Sequence, residues 1–379
     1  MTDDLDRWGE EAEFALAADR LDTPEAVEAA DPGDMLRQVA SAAAQVRTAL
    51  RSCAETDLSA LTPDARPRAI VVAGLGASGT AGEMLAAVTG AGSPVQVARS
   101  YPDRLPGWAG AADVVIAVSC SGATAQTLAV AAEAARRGCR LACVAAEGSP
   151  LHRIAEQARA VFVPVPAAGP ARSALWALAV PPLVIAERLG VASIGAQAYE
   201  LTARRLEEVS HQCRPASESF VNPGKSLALD LLGALPVIWG TSPLGEVAAR
   251  RFAAQLSLNA KYPAVVGTLP EAACSQLAAF DGPAAAGRGP DGCAAMRLVL
   301  VADPAEDQRA SAQRDAVSDL AARRGIAVSE LAMGDGQHPL VRLAGVIQLT
   351  DYASMYLAIA SGTDPARSAA MRDLAERIE

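Results

Sequence analysis

Ala69-Ile70-Val71-Val72-Ala73-Gly74-Leu75-Gly76-Ala77-Ser78-Gly79-Thr80-Ala81-Gly82 is a short aliphatic run that breaks into a glycine-rich turn and passes directly into a helix-forming segment reaching about Val88. A continuous rather than alternating apolar run reads as a strand buried on both faces, as in parallel sheets covered by helices. The glycines let the backbone approach an anion closely, and the free N–H groups of the helix's first turn point toward it. Farther on, Val114–Val118 ends in Ser119-Cys120-Ser121-Gly122-Ala123-Thr124, and a helix then runs to about Arg137.

The same rhythm extends in both directions. Short apolar runs at Val95–Ala98, Leu141–Ala145 and Ala160–Val163 alternate with helices, one starting near Pro150, and a long helix over about Ala171–Leu189 closes the series. Before it stands an amphipathic helix from Met35 to Cys53, and before that an acidic, alanine-rich segment. After Val209–Gly224, a polar stretch with Pro215 and Pro223 that reads as a linker, the alternation resumes. Its runs are Pro236–Trp239, Ala264–Gly267, Arg297–Val301 and Ile326–Leu331, with helices at Leu244–Asn259 and Glu306–Arg324 and two more at the end. Asp281–Gly292 reads as an exposed loop. The expectation is an α/β protein of two doubly wound, flavodoxin-like parallel-sheet domains. Residues 1–34 form an N-terminal acidic helical segment, 35–208 the first domain, 209–224 the linker and 225–379 the second domain.

Two chemistries are open at the first turn. Gly74–Gly79 fits the dinucleotide fingerprint G-x-G-x-x-G after a strand and before a helix, and Arg99 stands where an acidic residue would hold a ribose, which would suit the 2′-phosphate of NADP. The second turn favours a different ligand. Three hydroxyls, Ser119, Ser121 and Thr124, and Gly122 gather at a helix start, where a simple cap needs only one hydroxyl. The helix dipole adds about 0.3–1 kcal/mol for a bound anion. No lysine follows either turn, which argues against a nucleotide-triphosphate P-loop. Two hydroxyl-bearing turns converging on one anion suit a sugar monophosphate.

Composition narrows the classes. The 379 residues are 51% hydrophobic and 20% charged, enough apolar material for packed cores rather than disorder. The formal net charge of −10 argues against a sequence-independent nucleic-acid binder. Met1–Glu13 is acidic where a secretory signal would be basic and then apolar, and Ala174–Ile185 is broken by Pro181-Pro182 and too short to span a bilayer. The seven cysteines are scattered and odd in number, and none of the three histidines lies near a cysteine pair, so neither zinc nor a disulfide framework is expected. A cytoplasmic protein with buried, reduced thiols and no cofactor, metal, nucleic-acid or membrane partner is the expectation.

From about Asp34 to its end the chain resembles the bifunctional phosphoglucose/phosphomannose isomerases, which carry two sugar isomerase (SIS) domains. The resemblance rests on the turns at Gly74–Gly82 and Ser119–Thr124 with Thr127-Leu128, on Val95–Tyr101 with Leu105-Pro106, and on Pro170-Ala171-Arg172-Ser173-Ala174-Leu175. It continues through Asn222-Pro223-Gly224-Lys225, Asn259-Ala260-Lys261-Tyr262-Pro263-Ala264, Leu269-Pro270-Glu271, and Asp351-Tyr352-Ala353-Ser354 to Asp364-Pro365. It implies that Ser78, Ser119, Ser121 and Thr124, with Gly76 and Gly122 in their turns, bind the substrate phosphate. It also implies that Arg172 lies at the sugar and that the chain is a homodimer, since the family builds its sugar site at domain and subunit interfaces.

The departures bear on catalysis. Moving a proton between C1 and C2 of an aldose phosphate needs a base, and opening the ring needs an acid. Leu258 stands where the family has a glutamate before Asn-Ala-Lys, Cys274-Ser275-Gln276 stands for its His-Asn-Glu, and Ala375 stands for a lysine in the last helix. Lysine occurs only at positions 225 and 261. Each lost acid–base group typically costs about 10²–10⁴-fold in rate. The function expected is binding of a hexose 6-phosphate-class sugar phosphate with a degraded acid–base set. The alternatives are an active aldose–ketose isomerase using Arg172 and Glu271 as substitutes, and a phosphosugar-sensing regulator. The reading with least support is an NADP-dependent oxidoreductase.

Overall fold

The computed structural model describes residues 14–62, 66–100, 103–166, 169–285, 294–334, 336 and 338–378. The chain divides into two compact units. One is Ala40–Glu207 with Gln337–Val341, here the N-terminal unit; the other, the C-terminal unit, is Met1–Val39, Glu208–Gly336 and Arg342–Glu379. Both are built on wholly parallel sheets, so the α/β, doubly wound expectation holds.

In the N-terminal unit five strands, β1 (Ala69–Ala73), β2 (Gln96–Arg99), β3 (Val114–Ser119), β4 (Arg140–Ala145) and β5 (Val161–Pro164), lie in the order β2-β1-β3-β4-β5. Every residue of β1 and β3 is buried, as their unbroken apolar runs require of central strands. Ala73 pairs with Ala117, so the turns after β1 and β3 leave neighbouring strands at the same sheet end. The chain passes from β1 outward to β2 and then back across to β3, which makes the β1/β3 gap the switch point, the usual ligand crevice of such sheets.

The long helix expected over about Ala171–Leu189 is present as Leu175–Arg188, continuous through Pro181 and Pro182. An interior proline costs a helix about 3 kcal/mol. Burial from Leu175 to Ala186 and packing against helices Ala42–Glu55 and Ala77–Thr89 offset that cost. The amphipathic segment read as Met35–Cys53 is two helices, Met35–Ala40 and Ala42–Glu55.

In the C-terminal unit β6 (Leu235–Gly240), β7 (Val265–Thr268), β8 (Met296–Ala302) and β9 (Ala327–Ala332) run in the order β7-β6-β8-β9. N-terminal residues far away in sequence are tied into this unit. Arg20 Nη1 donates to the Ala360 carbonyl at 2.9 Å, and Asp22 accepts from the Ser219 N–H and hydroxyl, both at 2.8 Å. Lys225 is fully buried, donating to the Pro215 carbonyl at 2.8 Å and pairing with Asp22 at 3.3 Å. Of the stretch Val209–Gly224, Val209–Gln212 ends helix Gly195–Gln212, and Pro223 begins helix Pro223–Leu231, capped by Asn222. The loop expected at Asp281–Gly292 lies, for residues 286–292, outside those described. Among the described residues one helix, Pro339–Ala360, is long and apolar enough to cross a membrane; 94% of its most apolar window is buried, which makes it a core helix.

Candidate functional site

Gly76 opens the first turn with φ 56°, a left-handed conformation that glycine adopts without strain, and a Cβ there would meet nothing within 4 Å. The bend lets helix Ala77–Thr89 start directly above β1, with the Ser78 N–H bonded to the Leu75 carbonyl at 3.1 Å and Ser78 only 4% exposed. Arg99, the residue that could have received a 2′-phosphate, is bound to Glu83 on the same helix. The cation stays at the turn, a Cβ on Gly79 falling 3.0 Å from Arg99 Nη2, with its charge answered by Glu83.

In the second turn the hydroxyls form a cluster. Ser119 Oγ and Thr124 Oγ1 are 3.0 Å apart, Ser119 Oγ accepts from the Gly122 N–H at 3.1 Å, and Ser121 Oγ accepts from the Ala123 N–H at 3.2 Å. Thr124 is the N-cap residue of helix Ala125–Arg136, yet its side chain makes no capping bond and turns to Ser119 instead. Ser119 is buried and Ser121 exposed, so the cluster runs from the sheet end to solvent. Burial pushes the Cys120 thiol up, so it stays neutral inside this turn. Neither turn contains a carboxylate.

Ser149, after β4, was not singled out in the sequence, and it shapes this turn. Its Oγ caps helix Pro150–Ala158 by accepting from the His152 N–H at 3.3 Å, while the Gly122 carbonyl accepts from the Leu151 N–H at 2.9 Å. Gly122 has φ 64°, and a Cβ on it would lie 2.1 Å from Ser149 Oγ. The signal was present locally, since Ser149-Pro150 is a helix-start pair, but its approach to Gly122 is tertiary. Arg172 lies in the 3₁₀ turn Ala171–Ser173, which packs against helix Ala77–Thr89, the helix that carries Ser78. A separate open cleft of about 510 Å³ runs along edge strand β5. Glu55, Asp57 and Glu147 line it against the single arginine Arg159 and His152, so carboxylates outnumber the fixed cation there.

Residues 220–378 match the family described as the bacterial phospho-glucose isomerase C-terminal SIS domain. A bifunctional phosphoglucose/phosphomannose isomerase of Caldicellulosiruptor bescii is 28% identical over 298 residues, covering 78% of this chain and 85% of its own; that of Aquifex aeolicus is 25% identical over 301, covering 79% and 86%. The chain is a SIS-type, sugar-isomerase-like protein. Solved structures agree at the level of fold. A hypothetical protein from Thermus thermophilus has TM-score 0.68 at 18% identity, covering 100% of this chain and 96% of that one. A glucose-6-phosphate isomerase like protein from the same organism has TM-score 0.59 at 18% identity, covering 93% and 99%.

The positions at which the sequence departs from the family resemblance lie in the C-terminal unit. Leu258 is half-buried in a π-helical turn, Leu256–Ala260, that ends at Lys261 with φ 58°. Asn259 beside it is buried and donates to Ser354 Oγ at 2.9 Å. Lys261 Nζ is spent on backbone carbonyls, those of Leu258 at 3.0 Å and Asp364 at 2.8 Å among them. Glu271 and Cys274 are both exposed on the five-residue helix Glu271–Ser275. The expectation that the thiols are buried therefore fails at Cys274, because that short helix buries only Ala272 and turns Cys274 outward. Gln276 clamps the sheet, accepting from Trp239 Nε1 at 2.7 Å and donating to the Val266 carbonyl at 2.9 Å. Ala375 falls in helix Ala369–Ile378, and its side chain lies outside those described. His152 and His338 hold turns, each accepting through Nδ1 from a backbone N–H, of Gly148 at 3.0 Å and Leu340 at 3.2 Å. The described residues contain no group of three or more His, Cys, Asp or Glu able to hold a metal ion.

Proposed function

We propose that this SIS protein binds a hexose 6-phosphate or closely related sugar phosphate through Gly76, Ser78, Ser119, Ser121, Gly122 and Thr124, with Arg172 at the sugar, and turns it over slowly if at all. The observation that carries this is the pair of carboxylate-free glycine and hydroxyl turns leaving adjacent strands at the switch point of the first sheet. A phosphate there would accept from Ser119 and Thr124, whose hydroxyls now pair with each other, and from Ser78 and Ser121, at a helix start that favours negative charge. The poverty in proton-transfer groups supports slow turnover: Leu258 has no ionisable group, and Gln276 is occupied as a structural clamp. The reading takes a cytoplasmic homodimer with it, and light scattering giving one chain per particle would remove that part.

Calorimetry with glucose, glucose 6-phosphate and fructose 6-phosphate tests the proposal. The phosphorylated sugars are expected to bind and glucose not, and Ser121→Ala is expected to lose about 1.5–3 kcal/mol of binding, as for a charge-assisted hydrogen bond. Equal affinity for glucose and glucose 6-phosphate refutes it. The exposed carboxylate of Glu271 favours one second reading, an isomerase with a substitute base. Turnover at an ordinary ~1–10³ s⁻¹ that falls sharply in Glu271→Gln would establish that reading instead.

A further inference from the structure

The two sheets repeat one construction, and the repeat can be followed residue by residue. Gly74 follows β1 directly and Gly79 stands five residues on; Gly240 closes β6 and Gly245 stands five residues on. In each pair the second glycine lies against the first: a Cβ on Gly79 would fall 2.9 Å from the Gly74 carbonyl oxygen, and one on Gly245 would fall 3.1 Å from Gly240 Cα. By this register Ser78 corresponds to Leu244. In the neighbouring strands Ala73 pairs with Ala117 and Gly240 with Val301, so the residue after Ala117, Val118, corresponds to Val301. Six residues beyond each stand the helix N-caps, Thr124 and Asp307, so the two loops have equal length. Ser119, Ser121, Gly122 and Thr124 thus correspond to Ala302, Pro304, Ala305 and Asp307. Every hydroxyl of the first cluster is absent from the second.

A carboxylate stands in this loop, at the position that corresponds to Cys120. Asp303, 4% exposed, follows β8 at the switch point between β6 and β8. Its Oδ1 accepts from Arg342 Nε at 3.0 Å and the Ala305 N–H at 3.1 Å, and its Oδ2 accepts from Ser242 Oγ at 2.9 Å. Ser242 in turn caps helix Pro243–Gln255 by accepting from the Gly245 N–H. A buried arginine, a backbone N–H and a hydroxyl at a helix start are the donors an oxyanion site uses. Here they converge on a group of the chain's own.

We infer that the switch point of the C-terminal unit is a second oxyanion site kept closed by the Asp303 carboxylate, so that each chain takes a single phosphate, in its N-terminal unit. The closed site stands on the geometry around Asp303 alone; the single phosphate rests on the function proposed above. Asp303 answers both the charge of Arg342 and donors of the loop, which leaves a second phosphate a fixed negative charge to displace.

Refilling tests the closed site. Asp303→Ala removes the carboxylate and leaves its donors, so formate, which has the same head group, should stabilise this variant when titrated at constant ionic strength against chloride. Formate is expected to raise its unfolding midpoint by about 2–4 °C more than it raises that of the wild type, and Asp303→Ala/Arg342→Met is expected to lose the gain. A folded Asp303→Ala protein with no formate-specific gain overturns the inference. So does one that stays unfolded at every formate concentration, because a refillable site must recover. Calorimetry of the wild type with glucose 6-phosphate separates the two proposals: one site per chain supports both, two sites overturn the closed second site, and no binding removes the sugar-phosphate reading while the formate result stands on its own.

Discussion

Replacing Gly122 with alanine is expected to damage stability and ligand binding together. The new Cβ would sit at φ 64°, where a non-glycine residue pays roughly 1–2 kcal/mol. It would also lie 2.1 Å from Ser149 Oγ, 2.4 Å from Ser149 Cβ and 3.1 Å from Ala145 Cβ. Ser149 cannot simply rotate away, because its Cβ is part of the clash and its Oγ caps helix Pro150–Ala158. Overpacking of this kind costs about 1–3 kcal/mol, so about 2–5 kcal/mol in all is expected from chemical denaturation. The turn can relieve the overlap only by lifting Ser121 and Gly122 off the sheet end, which should weaken glucose 6-phosphate binding by at least about tenfold. Adding Ser149→Gly clears the clash at a capping cost of only a few tenths of a kcal/mol, so the double variant should keep about 1–2 kcal/mol of the loss, the part due to φ alone. Gly122→Ala within about 0.5 kcal/mol of wild type, or a double variant no better than the single one, would refute this account.

Arg251 and Asp351 form a buried pair, their side chains 3% and 8% exposed at 2.5 Å, and Arg251→Met is expected to cost about 3–5 kcal/mol in chemical denaturation by leaving a carboxylate buried without its partner; a loss under about 1 kcal/mol would mean that Asp351 takes up a proton at little cost. Burial pushes the Asp351 carboxyl upward against the pull of Arg251, so native Asp351 holds its proton to higher pH than unfolded Asp351 and this group favours folding most at low pH. Asp113 has the opposite sign. Burial would raise it, but the hydrogen bonds from Arg68 and the Gly110 N–H outweigh that and hold its carboxyl below the usual range. Its contribution is therefore present above the unfolded carboxyl range, near pH 4, and lost as the pH falls through the native value. The stability gap between wild type and Asp113→Asn should narrow below about pH 4, and a gap that is constant with pH would contradict the assignment.

Much of this architecture was legible in the sequence because its signals are local. Unbroken apolar runs such as Ala69–Ala73 and Val114–Val118 mark central parallel strands, and glycine or serine turns at their ends mark where the chain enters a helix. Short-range chemistry also placed the hydroxyls of Ser119, Ser121 and Thr124 in one turn, and the turn does gather Ser119 and Thr124 to 3.0 Å. Other features depended on groups distant in sequence. The helix through Pro181-Pro182 was expected from its sequence, but what offsets the two prolines is burial against neighbouring helices, which no window of residues around them reveals. Arg99 reads in sequence as a cation near the first turn, and the fold alone sets Glu83 beside it. Residues 20 and 22 belong with residues 219, 225 and 360, contacts that only chain closure creates. Gly122 reads in sequence as a turn residue, and the fold alone brings Ser149 into the space a side chain there would need. Sequence determines propensity over a few neighbours; which surface meets which is settled when apolar area is buried across the whole chain, and that collective choice decides both the shape of the Ser119–Thr124 turn and the hydrogen bonds around Asp303.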